Sequence, residues 1–324
     1  MPASINPDVV SSTSASILEK EPNTMGKRHG RRNQNRTPRV QRSTANRRLP
    51  GRLPDSPQTA DSNEDALFDA AVRTELAHLE GIESFLEGSA GQHADPDSDL
   101  SVDEDRLPHI WATTIAHRAL LHACECIRAT SALMLNWSWT YPQFALLRAA
   151  YESAGSTTWL LKPEDPDTRL ARLLWQHDDS WKYSAKAYAG TPLDDGGEHE
   201  ARKQWTRNIA AELNIDLSKG NPSGFEKLIA SVDDLPRHPE SLLTAWQVCS
   251  GVSHAKTWAM QTVITELKTT ELCEHGRLSE SIPNRQLFLT QLRVARRIVQ
   301  TAWGYYTIRT TTRPHSMTLE LKQL

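Results

Sequence analysis

Two pairs of polar residues stand one helical turn apart inside apolar segments, and together they hold the groups for acid–base chemistry on a phosphate ester. The first pair is Ser250 and His254 in "WQVCSGVSHAKTWAM" (246–260), among Trp246, Val248, Val252, Trp258 and Met260. The second is Arg148 and Glu152 in "LLRAAYESAGSTTWLL" (146–161), flanked by Leu147, Ala150, Ala154, Trp159 and Leu160, with Tyr151 and Ser156 close by. An imidazole can carry a proton to or from a reacting group, and a guanidinium can hold phosphate oxygens. Residues four apart share a helix face, so each pair presents both its polar groups to one side. An unpaired buried polar group costs about 1–3 kcal/mol, so four of them on apolar faces must satisfy one another. The spacing therefore predicts that Ser250 and His254 face Arg148 and Glu152 across a helix–helix contact. Such a set is either a catalytic centre or a polar clamp between two helices.

An R-x-x-x-E motif in one helix and an S-x-x-x-H motif in a later one resembles a broad group of uncharacterised bacterial helical proteins, the actinobacterial members most of all. "LLRAAYESAGSTTWLL" and "CSGVSHAKTWAM" carry the likeness, with Arg148, Glu152, Ser250 and His254 at the motif positions. It covers about 110–268 and implies an architecture and a site, not an activity. A more distant likeness is to the HEPN-type bundle ribonucleases of toxin and phage-defence systems, whose motif is Arg, four to six residues, then His. Arg73–His78, Arg172–His177 and Arg309–His315 fit that spacing. With 26 Arg and 12 His, about three such pairs arise by chance, so the motif discriminates nothing. Leu173 also stands where a polar residue often follows the motif's Arg.

The elements that must position these residues are helices. Phe68, Val72, Leu76, Leu79, Ile82 and Leu86 recur at spacings of three and four and predict a helix over 62–87. An acidic loop, "GSAGQHADPDSDLSVDED", follows. Pro108 and Pro142 can open the next two helices, since proline is tolerated in a first turn, and the second of them ends before Pro163. Further helices are expected at about 167–189, 198–214, within "NPSGFEKLIASV", at 240–268 and at 284–309. In the 240–268 helix Trp246, Ser250, His254 and Trp258 form one row, and Ser250, Gly251, Ser253 and Ala255 are small enough to admit a neighbouring helix. Strand signals and repeats are absent. All ten Trp fall inside predicted helices and read as core or interface residues. The fold class expected is all-α, a bundle of about seven or eight helices over 61–310, with a C-terminal tail at 311–324.

Charge is distributed unevenly. Residues 1–54 hold eleven Lys or Arg and three Asp or Glu, a net of +8, so the remainder carries −11 of the total −3. Residues 1–60 read as a disordered basic arm with no sustained apolar period. Its 27–52 stretch has ten basic residues and no acid, and Arg31, Arg32, Arg36, Arg39, Arg42, Arg47 and Arg48 are the expected nucleic-acid contacts. Met25 lies just upstream of that run, so translation could start there or at Met1. The four cysteines, Cys124, Cys126, Cys249 and Cys273, form no C-x-x-C pair. With no signal peptide recognised, reduced thiols and a cytoplasmic location are expected. The uncharged stretch 129–147 contains Asn136, Gln143 and Pro142 and is not read as a membrane span. No metal or cofactor is expected: Glu75–His78 is a single Glu-x-x-His on a face that could look to solvent, adjacent His177, Asp178 and Asp179 diverge on a helix, and the P-loop, dinucleotide, H-E-x-x-H and G-x-S-x-G motifs are missing.

Two functions stay open. One is a non-catalytic intracellular protein that binds a partner or nucleic acid, the four-residue set being a clamp. The other is a bundle ribonuclease with His254 as acid/base and Arg148 as phosphate binder. Trp-rich helix faces are compatible with a homodimer.

Overall fold

Helix α4 (Pro142–Leu161) opens on a proline in its first turn and buries twelve of its twenty residues. A helix buried on most of its circumference has no single apolar stripe, because several neighbours each cover part of it. The neighbours are α3 (Ala112–Asn136), α7 (Phe225–Val232), α8 (Leu242–Ser253) and α10 (Arg285–Thr310). At Gly155 an added Cβ would lie 2.7 Å from Ile229 Cδ1, so glycine is what lets α7 approach α4 there. The computed structural model describes residues 62–312 apart from 89–90, 137–138, 195, 236–237 and 274–275, all within one unit, Thr59–Leu324.

The fold is all-α, with ten α-helices and one two-stranded hairpin among the described residues. Helix α1 (Ser62–Glu87) has the bounds its periodicity predicts and buries Phe68, Val72, Leu79, Ile82 and Leu86 against α3 and α10. Helix α5 (Pro166–Tyr188) carries α6 (Glu198–Glu212) and a short 3-10 turn, Leu217–Gly220. Asp165 caps α5 by accepting from Asp167 N and Thr168 N.

Four expectations need correction. The acidic loop contains a helix, α2 (Asp99–Arg106), capped by Ser98 and burying Leu100 and Asp103. Its sequence is too polar to announce itself; tertiary contacts form it. Helix α3 starts at Ala112 and not at Pro108, where Glu104 of α2 accepts from Thr113 N at 3.2 Å. Trp111, just before α3, and Trp139, after its end at Asn136, therefore lie outside helices, both more than half exposed. The helix expected over 240–268 is three elements. Helix α8 ends at Ser253, α9 (Thr257–Thr262) follows, and then β1 (Ile264–Cys273) pairs antiparallel with β2 (Gly276–Pro283). The break falls at Ala255, whose φ of 51° is left-handed, and Lys256 N closes the turn on Gly251 O at 2.8 Å. A Cβ at Gly251 would lie 2.6 Å from Ala259 Cβ and 2.9 Å from the Trp258 ring, so the small residue that promised a second helix instead lets the same chain fold back. The hairpin contains Ile264, Thr265, Thr269 and Thr270, β-formers spaced too irregularly to read as an alternating strand.

Two buried arginines serve carbonyls at the end of α4 and in the turn that follows it. Arg309 of α10 donates to Leu161 O at 3.1 Å and Pro163 O at 3.0 Å, and pairs with Asp99. Arg169 of α5 donates to Pro163 O at 3.1 Å and Glu164 O at 2.7 Å, and forks onto Asp103 at 2.6 and 3.0 Å. Both guanidinium side chains are 4% exposed. Burial pushes the Asp103 carboxyl up, against the pull of Arg169. Removing one partner of such a pair leaves a buried, uncompensated charge. Asp103→Ala should therefore lower unfolding free energy by about 3–5 kcal/mol in urea denaturation, and an unchanged midpoint would show that α2 does not anchor α4.

Candidate functional site

Helices α4 and α8 cross with opposite sense, so the later residue of the α4 pair meets the earlier part of α8. Glu152 Oε1 accepts from Arg148 Nε at 2.8 Å and from Trp246 Nε1 at 3.0 Å. The Arg148 guanidinium carbon lies 5.9 Å from the Trp246 ring centroid, the outer reach of a cation–π contact. Arg148 Nη1 lies 3.2 Å from His254 Nε2. Arginine has donors only, so Nε2 accepts, and the imidazole in this arrangement is neutral with its proton on Nδ1. The structure thus brings Arg148, Glu152 and His254 together across the predicted helix–helix contact.

Ser250 and the tryptophans are placed differently from expectation. Ser250 lies between Trp246 and His254 on the α8 row, half-buried, and its backbone carbonyl accepts from His254 N at 3.1 Å. Its hydroxyl makes no bond to Arg148, Glu152 or His254; the partner across from Glu152 is Trp246. His254 is not inside a helix but caps the end of α8 and is exposed. Trp258 packs on Gly251 and is 53% exposed, so it does not roof the site. The Arg148 and Glu152 side chains are 26% and 27% exposed, which leaves the cluster open to solvent on one side. Behind it, Tyr151 Oη donates to Gln291 O at 2.8 Å, and Cys249 Sγ lies 3.6 Å from Gln291 Oε1. Burial pushes both the Tyr151 hydroxyl and the Cys249 thiol up, so this layer fixes α4, α8 and α10 without offering a nucleophile.

Arg172 and His177 engage separate tryptophans rather than each other. Arg172 donates to Trp159 O and stacks over the Trp159 ring at 4.7 Å, while His177 Nε2 accepts from Trp181 Nε1 at 3.1 Å. Arg309 is the buried cap of α4, and His315 lies outside the described residues. Glu75 does not face solvent: it is buried and paired with Arg293 at 3.2 Å and Arg296 at 2.6 Å. Among the described residues no group of three His, Cys, Asp or Glu could hold a metal ion. None of their helices is long and apolar enough to cross a membrane. All four cysteines are free, three of them buried. The basic arm and its seven arginines lie outside the described residues.

Two further polar groupings were not anticipated. His122 Nδ1 lies 2.8 Å from Ser153 Oγ, and His122 Nε2 lies 3.6 Å from Cys126 Sγ, whose thiol burial pushes up. The His122–Cys126 spacing of four was the only signal for it. His177 of α5 lies 5.5 Å from Trp205 of α6 between ring centroids, His109 in the turn before α3 lies 6.2 Å from Trp205, and Arg202 of α6 sits 3.7 Å over Trp181 of α5. No protein-family model matches the chain, and no curated protein or solved structure matches it significantly.

Burial, then the charge of Arg202, holds the His177 imidazole below its ordinary value. The native state therefore binds fewer protons than the unfolded chain in the interval below about 6.5. His177 should contribute stability that is present above about pH 6.5 and is lost as pH falls through its folded value. Urea midpoints of wild type and His177→Gln should converge on acidification, and parallel curves would dismiss this role. Trp246→Phe, which removes the N–H donated to Glu152, should lower stability by about 1 kcal/mol. Urea denaturation measures that loss.

Proposed function

We propose that this chain is a non-catalytic binding protein whose basic arm contacts nucleic acid, and in which Arg148, Glu152 and His254 join α4 to the end of α8. The observation that carries the non-catalytic half is the hydrogen bond from Arg148 Nη1 to His254 Nε2 at 3.2 Å. A general base needs a free lone pair aimed at the substrate proton. Here that lone pair is engaged by a guanidinium N–H, a group that stays protonated. The charge pattern supports the binding half: an arm of net +8 on a remainder of −11 concentrates the attraction for phosphates in residues 1–54. The same reading takes the resemblance to the bacterial R-x-x-x-E and S-x-x-x-H proteins as one of architecture, and puts the protein in the cytoplasm with its thiols reduced.

The bundle-ribonuclease reading keeps one observation in its favour. Arg148 and His254 are reachable from solvent rather than sealed beneath tryptophans. Fluorescence anisotropy with a short single strand separates the two. The wild-type chain should bind with an affinity that falls by roughly three orders of magnitude or more between low and physiological salt, as counterion release by seven contacts requires. A full-length variant with Arg31, Arg32, Arg36, Arg39, Arg42, Arg47 and Arg48 all changed to Gln should lose that binding and its salt slope. Undiminished binding by the variant would overturn the arm's role. Strand cleavage that disappears in His254→Ala would replace the first reading with the ribonuclease.

A further inference from the structure

We infer that Arg148, His254 and Ser250 form a subsite for a single tetrahedral oxyanion, a phosphate group of the bound strand, which is closed while His254 is neutral and opens when it is protonated. This rests on the nucleic-acid reading for the source of the phosphate, and on geometry for the site itself.

Two basic side chains in direct contact are an unusual way to join helices. The bond between Arg148 Nη1 and His254 Nε2 exists only while the imidazole nitrogen keeps its lone pair. Protonation turns Nε2 into a donor and leaves two cations at 3.2 Å with nothing between them. Like charges at that separation part or recruit an anion. An oxyanion lodged there would accept from Arg148 Nη1 and from His254 Nε2, two charge-assisted bonds of the stronger kind.

The surroundings suit that exchange. Glu152 Oε1 accepts from Arg148 Nε and Trp246 Nε1, which holds the guanidinium by one edge and leaves Nη1 on the other. His254 sits beyond the last turn of α8, just before the left-handed Ala255, and is exposed, so its ring can turn without disturbing a helix. The Ser250 hydroxyl, on the same row one turn earlier and without a bond to the other three, is a third donor.

Among the described residues no other charged group is bonded to His254. On α7, Glu226 accepts from Gln247, and Lys227 is exposed and outside the cluster. On α10, Arg297 pairs with Asp234, Arg285 with Asp65, and Arg293 and Arg296 with Glu75. Helix α9 carries no ionisable residue, and Lys256 in the turn before it is exposed. Arg148 and Glu152 on α4 are therefore the charged groups at the subsite, with Lys256 the nearest cation in sequence.

The test uses the full chain and calorimetric titration with sulfate, a tetrahedral anion whose charge does not vary across the imidazole range. Titrations at about pH 5 and about pH 8 span the range in which imidazoles change charge. The wild type should bind sulfate roughly tenfold or more tightly at the lower pH, and binding near neutrality should take up close to one proton, read from two buffers of different ionisation enthalpy. His254→Gln keeps a side-chain acceptor for Arg148 but cannot be protonated, so its sulfate binding should be weak and indifferent to pH. Ser250→Ala should weaken binding several-fold at the lower pH only. The variant lacking the seven arm arginines should bind sulfate as the wild type does. A His254→Gln chain with the wild-type pH dependence, or a wild type with none, would overturn the subsite.

Repeating the titration with a short single strand separates this inference from the reading it rests on. If the arm variant loses the strand and His254→Gln binds it with unaltered pH dependence, the arm stands and the subsite falls. If the arm variant binds the strand normally while sulfate binding still depends on His254, the subsite stands and the arm's role falls.

Discussion

Two buried arginines hold the end of α4 and the turn after it, and much of the described fold follows from how their charges are met. A buried helix C-terminus leaves its last C=O groups without intrahelical partners. Arg309 reaches Leu161 O from α10, and Arg169 reaches Pro163 O and Glu164 O in the following turn from α5. Each brings a charge into a site 4% exposed and needs a carboxylate beside it. Helix α2 supplies both, Asp99 to one and Asp103 to the other, within a single turn and a half. A short polar segment thereby becomes a helix, and α2, α4, α5 and α10 are tied at one point.

With its far end fixed this way, α4 presents its partly open strip to α8. Half-exposed ion pairs contribute little net energy on their own. The Arg148–Glu152 contact matters more for direction. Trp246 holds Glu152, Glu152 holds Arg148 by Nε, and the guanidinium is aimed at the end of α8 as a result. The buried layer of Tyr151, Cys249 and Gln291 directly behind keeps the helix spacing constant. A site so supported can exchange one partner of Arg148 without the helices moving.

The stretch that seemed to be one long helix shows how a local signal can have two tertiary uses. Gly251 is small because something must come close, and the visitor is α9 of the same chain rather than another helix. The fold-back exposes His254 at a helix end, where a continuous helix would have kept it on a packed face. It also sends the following residues out into the β1–β2 hairpin, nearly all of whose described β1 residues are exposed.

The sequence by itself determined the helical class, the bounds of α1, α4, α5 and α10 to within a residue or two, and the approach of His254 to Arg148. Those features depend on spacing and on proline, which act over one or two turns and are written locally. It also carried the four-residue row that puts His254 on the Arg148 side. Tertiary structure decided the rest. Helix α2 forms because buried arginines demand its aspartates, a requirement set by residues more than sixty positions away. Glu152 is matched with Trp246 and not Ser250, a contact made across the α4–α8 crossing that spacing along α8 does not specify. His254 ends a helix because Gly251 and Ala255 permit a reversal whose stabilising contacts lie on α9, and contacts of that kind leave no periodic trace in the chain that makes them.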